Sequence, residues 1–440
     1  MPGGLLQLVA YGAQDAYISG NPQITFWKSL YKRHTNFAME PFRINFNGQP
    51  SWSTKQTAIV GRHADLLFST YVEVQMDHLE IGGATLNMWN DGVLSRSVPG
   101  IGGLGYNLIE YAELDVGGQI IDRQYGEFMY LWTSLTNDFV KSNLTSSMIN
   151  GNLSPASAGS HPLTFSQPVG CSTGVGRPSL PNTLYIPLYF FFTRNPGAAL
   201  PLISLQYHEV KINIQWNNPQ LIAGNFTKVN LLPPPKQAAL YIDYIYLDTE
   251  ERRRMAQQSH EYLIEQTQYN ENVGLSAPNN RIDLTFNHPV KELIWLVQPN
   301  AYRNCKAKTN TLGNRPATRL LPFTYDQHAV YEQWIQFNGQ DRMDRRYGDY
   351  FNKVQPYQHH TGAMPGVGVY MYSFAVKPEE HQPSGSCNFS RIDTATIVMA
   401  LDGSQTINQD QDRTFDVRVY AVNYNILRIM SGMGGLAYSN

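Results

Sequence analysis

GQIIDRQYG at 118–126 is answered by GQDRMDRRYG at 339–348. Gly118-Gln119, Asp122-Arg123 and Tyr125-Gly126 return as Gly339-Gln340, Asp344-Arg345 and Tyr347-Gly348, at an offset of 221 to 222 and with one residue more in the second copy. Solenoid units repeat every 20–50 residues, roughly, so this offset is that of a whole domain duplicated inside one chain. Arg62-His63 ahead of Leu66 likewise parallels Asn287-His288 ahead of Leu293, and Tyr189–Ile214 parallels Tyr372–Val398 in pattern. The second of these offsets is shorter by roughly 40 residues, a surplus that the Ser-, Asn-, Gly- and Pro-rich stretch 137–183 supplies as a long surface loop. Gly339 and Gly348 are expected to flank a tight turn at positive φ.

Period-two patterns dominate the rest. Phe68, Thr70, Val72, Val74 and Met76 alternate with more polar neighbours, as do Val210, Ile212, Ile214 and Trp216, and Phe415, Val417, Val419 and Ala421. Each reads as a strand with one greasy face in a two-layer structure. YIPLYFFF (185–192) is apolar on both faces and reads as a strand covered on both sides. Helices are few. Phe128, Leu131, Trp132 and Leu135 fall at i, i+3, i+4, i+7, and Asp248 with Glu251 makes a capping-box-like start ahead of Arg252-Arg253-Arg254. That second helix reads as a solvated, partly paired connector between the halves, with a phosphate or membrane contact, or salt bridges between subunits, as alternatives. With Gly 35 and Pro 26 in 440 residues, the class is all-β, of sandwich or jelly-roll type.

Charge is the unusual quantity. Asp, Glu, Lys and Arg make up 15% of the chain, against about 25% in ordinary globular proteins. With 12% aromatics, such a surface is poorly protected against self-association and suits burial between subunits. A net charge of −2 argues against a direct grip on nucleic acid, which needs a basic face. Cys171, Cys305 and Cys387 are too few and too scattered for a disulfide framework or a CxxC metal knuckle. The start lacks the basic and apolar regions of a secretory signal, and no run of about 18 apolar residues suggests a membrane span.

Motifs of chemistry fail on context. GIGGLG (100–105) matches the dinucleotide pattern but follows Pro99 and precedes a strand-like stretch, so it reads as a loop. His208-Glu209 and His260-Glu261 lack the second histidine of HExxH. His359 and His360, if on a strand, point to opposite faces. There is no GxSxG elbow, no P-loop and no clustered His/Glu set, so neither an enzyme nor a cofactor is expected. Of the sequons, Asn388 reads as structural, Asn225 carries no assignment, and Asn143 and Asn152, in the long loop, are the glycosylation candidates. Both ends carry apolar residues (Leu5, Leu6, Leu8, Val9; Leu436, Tyr438), so arm and tail read as docked rather than frayed.

Several long segments resemble the major capsid proteins of large icosahedral DNA viruses, those of chlorella viruses and their algal-virus relatives above all. They are GGLLQLVAYGAQDAYISGNPQITFWKSLYKRHTNFAME (3–40), ALPLISLQYHEV (199–210), LDTEERRRMAQQSHEYLIEQ (247–266), NGQDRMDRRYGDYFNKVQPYQ (338–358), QPSGSCNFSRID (382–393) and NYNILRIMSGMGGLAYSN (423–440). They occur in order and span both ends; 93–105 and 137–183 look peculiar to this chain. The resemblance implies a double jelly roll of two tandem eight-stranded antiparallel β-sandwiches with few short helices. Its divisions would be an arm (1–22), a first roll (23–247), a connector helix (248–260), a second roll (261–430) and a tail (431–440). It further implies a late virion glycoprotein of the outer capsid, assembled in the host cytoplasm. Three chains would close into a pseudo-hexagonal homotrimer, contacting neighbouring capsomers and minor capsid proteins beneath, without nucleic-acid contact or membrane insertion. A minor capsid paralogue, a carbohydrate-binding jelly roll and a jelly-roll hydrolase are the competing readings.

Overall fold

Alternating burial builds the strands. Val72, Val74 and Met76 turn inward while Tyr71, Glu73 and Gln75 stay half-exposed, and the same alternation recurs along each half. The computed structural model describes residues 3–76, 79–81, 84–86, 104–150, 182–218, 234–275, 279–299, 330–362, 368–401 and 415–438. Among the described residues, sixteen principal strands, eight per half, form four antiparallel sheets. The first half holds β1 (Phe37–Asn45), β2 (Lys55–Val60), β3 (Leu66–Met76), β4 (Ile109–Val116), β5 (Gln119–Tyr125), β6 (Asn182–Pro187), β7 (Val210–Trp216) and β8 (Gln237–Leu247). The second holds β9 (His260–Leu275), β10 (Asn279–Asp283), β11 (Pro289–Pro299), β12 (Val330–Phe337), β13 (Gln340–Asp341), β14 (Val369–Ser373), β15 (Ala395–Leu401) and β16 (Phe415–Met430).

The order β1-β8-β3-β6 faces β2-β7-β4-β5 in the first half; β9-β16-β11-β14 faces β10-β15-β12-β13 in the second. Adding eight to every label of the first sandwich gives the second. Each is a jelly roll, with separate cores centred on Val72, Leu114, Ile212 and Leu240, and on Leu293, Trp295, Ile397 and Val417. The duplicated phrase marks equivalent hairpins. Val116 pairs with Gln119 and Phe337 with Gln340, leaving two-residue loops, Gly117-Gly118 and Asn338-Gly339. All four loop residues have positive φ (63°, 89°, 47° and 80°), the type I′ turn that suits strand twist and favours Gly and Asn. Gly348, by contrast, opens a helical segment as Gly126 does, and does not share the left-handed geometry expected of it.

Three expectations change. The run 185–192 is a strand only to Pro187; it then turns into the short helix Phe191–Arg194. Pro187 cannot donate to a ladder, and the buried Phe190, Phe191 and Phe192 fill the first core from the turn. Tyr185 stays exposed, so that strand is covered on one side only. Asp416, Arg418 and Tyr420 on β16, read as the polar face, are buried too. The stretch from 139 to 150, read as loop, is the helix Phe139–Asn150, started by Asp138, whose carboxylate accepts from Lys141 N at 2.8 Å.

The connector helix, Thr249–Gln257, begins where expected, with Asp248 Oδ1 accepting from Thr249 N. Arg252 pairs with the buried Asp65 at 2.9 Å. The tail docks: Met433–Leu436 pairs with Leu427–Met430, and Gly432 O accepts from Tyr207 N in the first half. Met1–Phe37 forms a unit of its own, with short helices Gly3–Val9 and Ala16–Ser19. Its Leu8, Tyr17, Ile18, Phe26, Trp27 and Tyr31 are exposed.

Candidate functional site: the seam between the sandwiches

The helix Gly126–Thr136, directly after the first phrase, joins the two halves. It can start there because residue 126 has no side chain; a Cβ would sit 2.2 Å from the carbonyl oxygens of both Tyr106 and Ile109. Met129 and Tyr130 enter the first core. Phe128, Leu131, Trp132 and Leu135 lie instead on Ile294, Leu296, Met371, Tyr420 and Val422 of the second sandwich. The helical stripe read from the sequence is therefore the seam, and it covers the outer face of β14-β11-β16.

Charge is buried along it. Glu127 accepts from Arg418 Nε and Nη2, each at 2.7 Å, and from the Tyr420 hydroxyl at 2.6 Å. Burial alone would lower the Arg418 pKa, but Glu127 outweighs it and the net direction is up; burial, then Glu127, raises Tyr420. Asp122 Oδ1 accepts from Thr267 N on β9 at 3.0 Å. Desolvation pushes its carboxyl up to about 6 despite that bond. Tyr125 packs on Tyr269 and Tyr420, with centroids 4.5 and 6.0 Å away.

A second cluster surrounds Trp132. Arg194 lies 4.3 Å and Lys291 Nζ 5.2 Å from its ring centroid, and the His360 ring meets it edge-on at 6.2 Å. Lys291, fully buried, donates to Glu265 at 2.7 Å and to Pro378 O at 2.6 Å; Arg194 also pairs with Glu265. Burial raises the Glu265 carboxyl, but the two cations hold it below its ordinary value. His360 sits between Glu292 at 2.9 Å and Glu379 at 3.0 Å. Burial disfavours its charge, yet the carboxylates win and raise it to about 9. Gly362 N donates to Leu135 O, so this segment also closes the end of the seam helix. Such pairs contribute little net attraction after desolvation, but removing one partner costs about 3–5 kcal/mol. They fix one mutual setting of the two sandwiches.

The remaining sequence candidates scatter. His208 Nδ1 contacts Gly434 O, and His260 contacts Met255 O. His359 and His360 lie at a helix end rather than on a strand, and diverge to Val376 O and to the carboxylates. Asn388 caps a turn by accepting from Ser390 N. Asn143 lies in the Phe139–Asn150 helix; Asn152, Asn225, Cys171, Cys305 and residues 100–103 of the Gly-rich motif lie outside the described residues. Among the described residues no group of three His, Cys, Asp or Glu could hold a metal, and no helix is long and apolar enough to cross a membrane. The buried charges had gone unread. Their signal was Lys291-Glu292 inside the otherwise apolar PVKELIWLV.

Residues 25–248 match the family model for the major capsid protein N-terminus, and 251–435 that for the large eukaryotic DNA virus major capsid protein. The chain is 42% identical to the major capsid protein of Phaeocystis pouchetii virus and 43% identical to that of Pyramimonas orientalis virus, with both chains covered completely in each case. The crystal structure of PBCV-1 VP54, fitted into a reconstruction of the virophage Sputnik, superposes with a TM-score of 0.74 at 32% identity, over 94% of this chain and 100% of that one. This is a family of shell proteins, not of enzymes or sugar-binding modules. The chain belongs to the large eukaryotic DNA virus major capsid proteins, and its function is that of a structural subunit of the viral capsid.

Proposed function

We propose that the chain is the bulk subunit of the outer shell and that three copies close into a pseudo-hexagonal capsomer. The observation that carries this is the identical strand order of two sandwiches held side by side by a buried seam. A chain that presents two similar rolls needs only threefold symmetry to present six, and six similar faces tile a near-hexagonal lattice. Contacts between capsomers are weaker, and the lattice multiplies them. The divisions of the chain are the arm 1–22, the rolls 23–247 and 261–430, the connector 248–260 and the tail 431–440. The exposed apolar arm docks on neighbours or minor capsid proteins at the inner base of the capsomer. The net charge of −2 suits a shell that leaves the genome to other proteins. Assembly takes place in the host cytoplasm late in infection, and Asn143 and Asn152 are the sites for sugars. Light scattering of purified full-length protein tests the trimer: a species of three times 49.7 kDa is expected, and a clean monomer would overturn it.

A further inference from the structure

The seam has a twin that is partly bare: Tyr350, the match of Phe128, packs on its own core, but Val354 and Tyr357 beyond it stay exposed. Counting on from Gly126 and Gly348, Met129 matches Phe351, and each enters its own sandwich's core. By the same count Leu131, Trp132 and Leu135 match Lys353, Val354 and Tyr357. The first three are buried in the seam; Val354 is 39% and Tyr357 88% exposed. Upstream the correspondence is as close. Tyr125 meets Tyr111 edge-on at 6.2 Å and Tyr347 meets Tyr331 edge-on at 5.2 Å; Arg123 lies over Tyr111 and Arg345 over Trp334. Tyr125 then packs on the second sandwich, whereas Tyr347 is 60% exposed.

The receiving face is duplicated too. The outer face of β14-β11-β16 is covered by the seam helix. Its equivalent, the outer face of β6-β3-β8, shows Tyr185, Tyr71 and Tyr241, the last two stacked at 5.1 Å, beside the half-exposed Glu73 and Asp243. We propose that the helical face carrying Tyr347, Val354 and Tyr357 docks on this tyrosine face of a second copy of the chain, repeating between molecules the contact that the seam makes within one. The proposal rests on the trimer reading and names its surfaces.

The chemistry of the two contacts differs in the direction this requires. The core of the seam is buried once the chain is folded, and its sheet side is mostly aliphatic, with Tyr420 among Ile294, Leu296, Met371 and Val422. The twin must stay soluble before assembly, so charged groups flank it, while its tyrosines are of the kind enriched at interface hot spots. The polarity is also reversed. In the seam the helix carries the carboxylate (Glu127) and the sheet the cation (Arg418). In the twin, 341–353 carries four cations against three carboxylates, and the sheet carries Glu73 and Asp243. Asp349, at the position of Glu127, is paired with Lys353 on its own helix. Such a reversal discourages one contact from substituting for the other. The contact is heterologous, each copy giving a helix to one neighbour and a sheet to the next; with the threefold rotation of the trimer reading it closes as a ring.

The test uses full-length protein with two double variants, Val354→Asp/Tyr357→Asp and Glu73→Lys/Asp243→Lys, measured by light scattering. Each should be monomeric with the circular dichroism of the folded chain unchanged, its contact weakened on the order of thirtyfold or more. Mixed, the two should form a species of twice 49.7 kDa, because one intact helix face meets one intact sheet face. A wild-type trimer with both variants still trimeric would overturn the docking surface and leave the trimer standing. A wild-type monomer would overturn both. Either variant dimerising alone would show a self-complementary contact and sink the ring.

Discussion

His360 is the seam's most exposed point to alkali. Its ordinary pKa of 6.5 is raised to about 9 in the folded chain by Glu292 and Glu379. A raised histidine stabilises fully below its unfolded pKa and stops doing so as pH climbs through the folded one. At 1.36 kcal/mol per pKa unit, the contribution is about 3 kcal/mol below pH 6, about 2.5 kcal/mol at pH 7 and close to zero at pH 10. Lys291, beside Glu292, has a pKa lowered by its burial, so its share of the stability rises with pH and partly masks the loss. Subtraction removes it. Urea unfolding of wild type and His360→Gln, at fixed protein concentration from pH 6 to 10, should give curves about 3 kcal/mol apart in acid that converge through pH 9. Parallel curves would show that the histidine is neutral in the folded chain and would refute the reasoning.

Glu127→Gln should cost about 3–5 kcal/mol by leaving Arg418 buried without its counter-charge, whereas Glu127→Gln with Arg418→Met should regain much of it; calorimetry of both decides. Gly126→Ala should abolish soluble folding or cost well over 3 kcal/mol, given the carbonyl oxygens 2.2 Å from any Cβ. Gly339→Ala, at φ +80° but with open space around it, should cost only about 1–2 kcal/mol, and equal melting losses for the two would contradict that ranking. Deleting Met1–Gly20 should leave the melting of the body unchanged and weaken particle assembly in a reconstitution assay; undiminished assembly would refute a docking role for the arm.

The duplication was readable because turn geometry constrains side chains so tightly. A type I′ loop between paired strands calls for Gly or Asn, and those residues survive in both copies as a legible phrase. Strand alternation was equally plain wherever one face meets solvent. It misled on β16, where Arg418 and Tyr420 keep the alternation but their face is covered by a helix from 291 residues away in sequence. The helical stripe at Phe128–Leu135 was visible, while its destination was not, since a period fixes which side chains share a face and never what that face meets. The cluster at Trp132 was the least legible. Arg194, Glu265, the Lys291-Glu292 pair and His360 come from four separate places in the chain, and only the charged pair inside an apolar strand hinted that something opposite must neutralise it.

The seam also sets a timetable for making the protein. Glu127 must wait for Arg418, and β16, the last principal strand, is central to its sheet. At about 5–20 residues per second, the intervening chain takes roughly 15–60 s to emerge from a ribosome. Over the later part of that interval, once Leu247 has emerged, the first roll can be complete while Phe128, Leu131, Trp132 and Leu135 have nowhere to lie. Every nascent chain in a crowded polysome offers the same bare stripe at once. The bare stripe is an aggregation hazard of translation, present before any contact between copies of the finished chain, and a holdase shielding that one helix face should raise the yield.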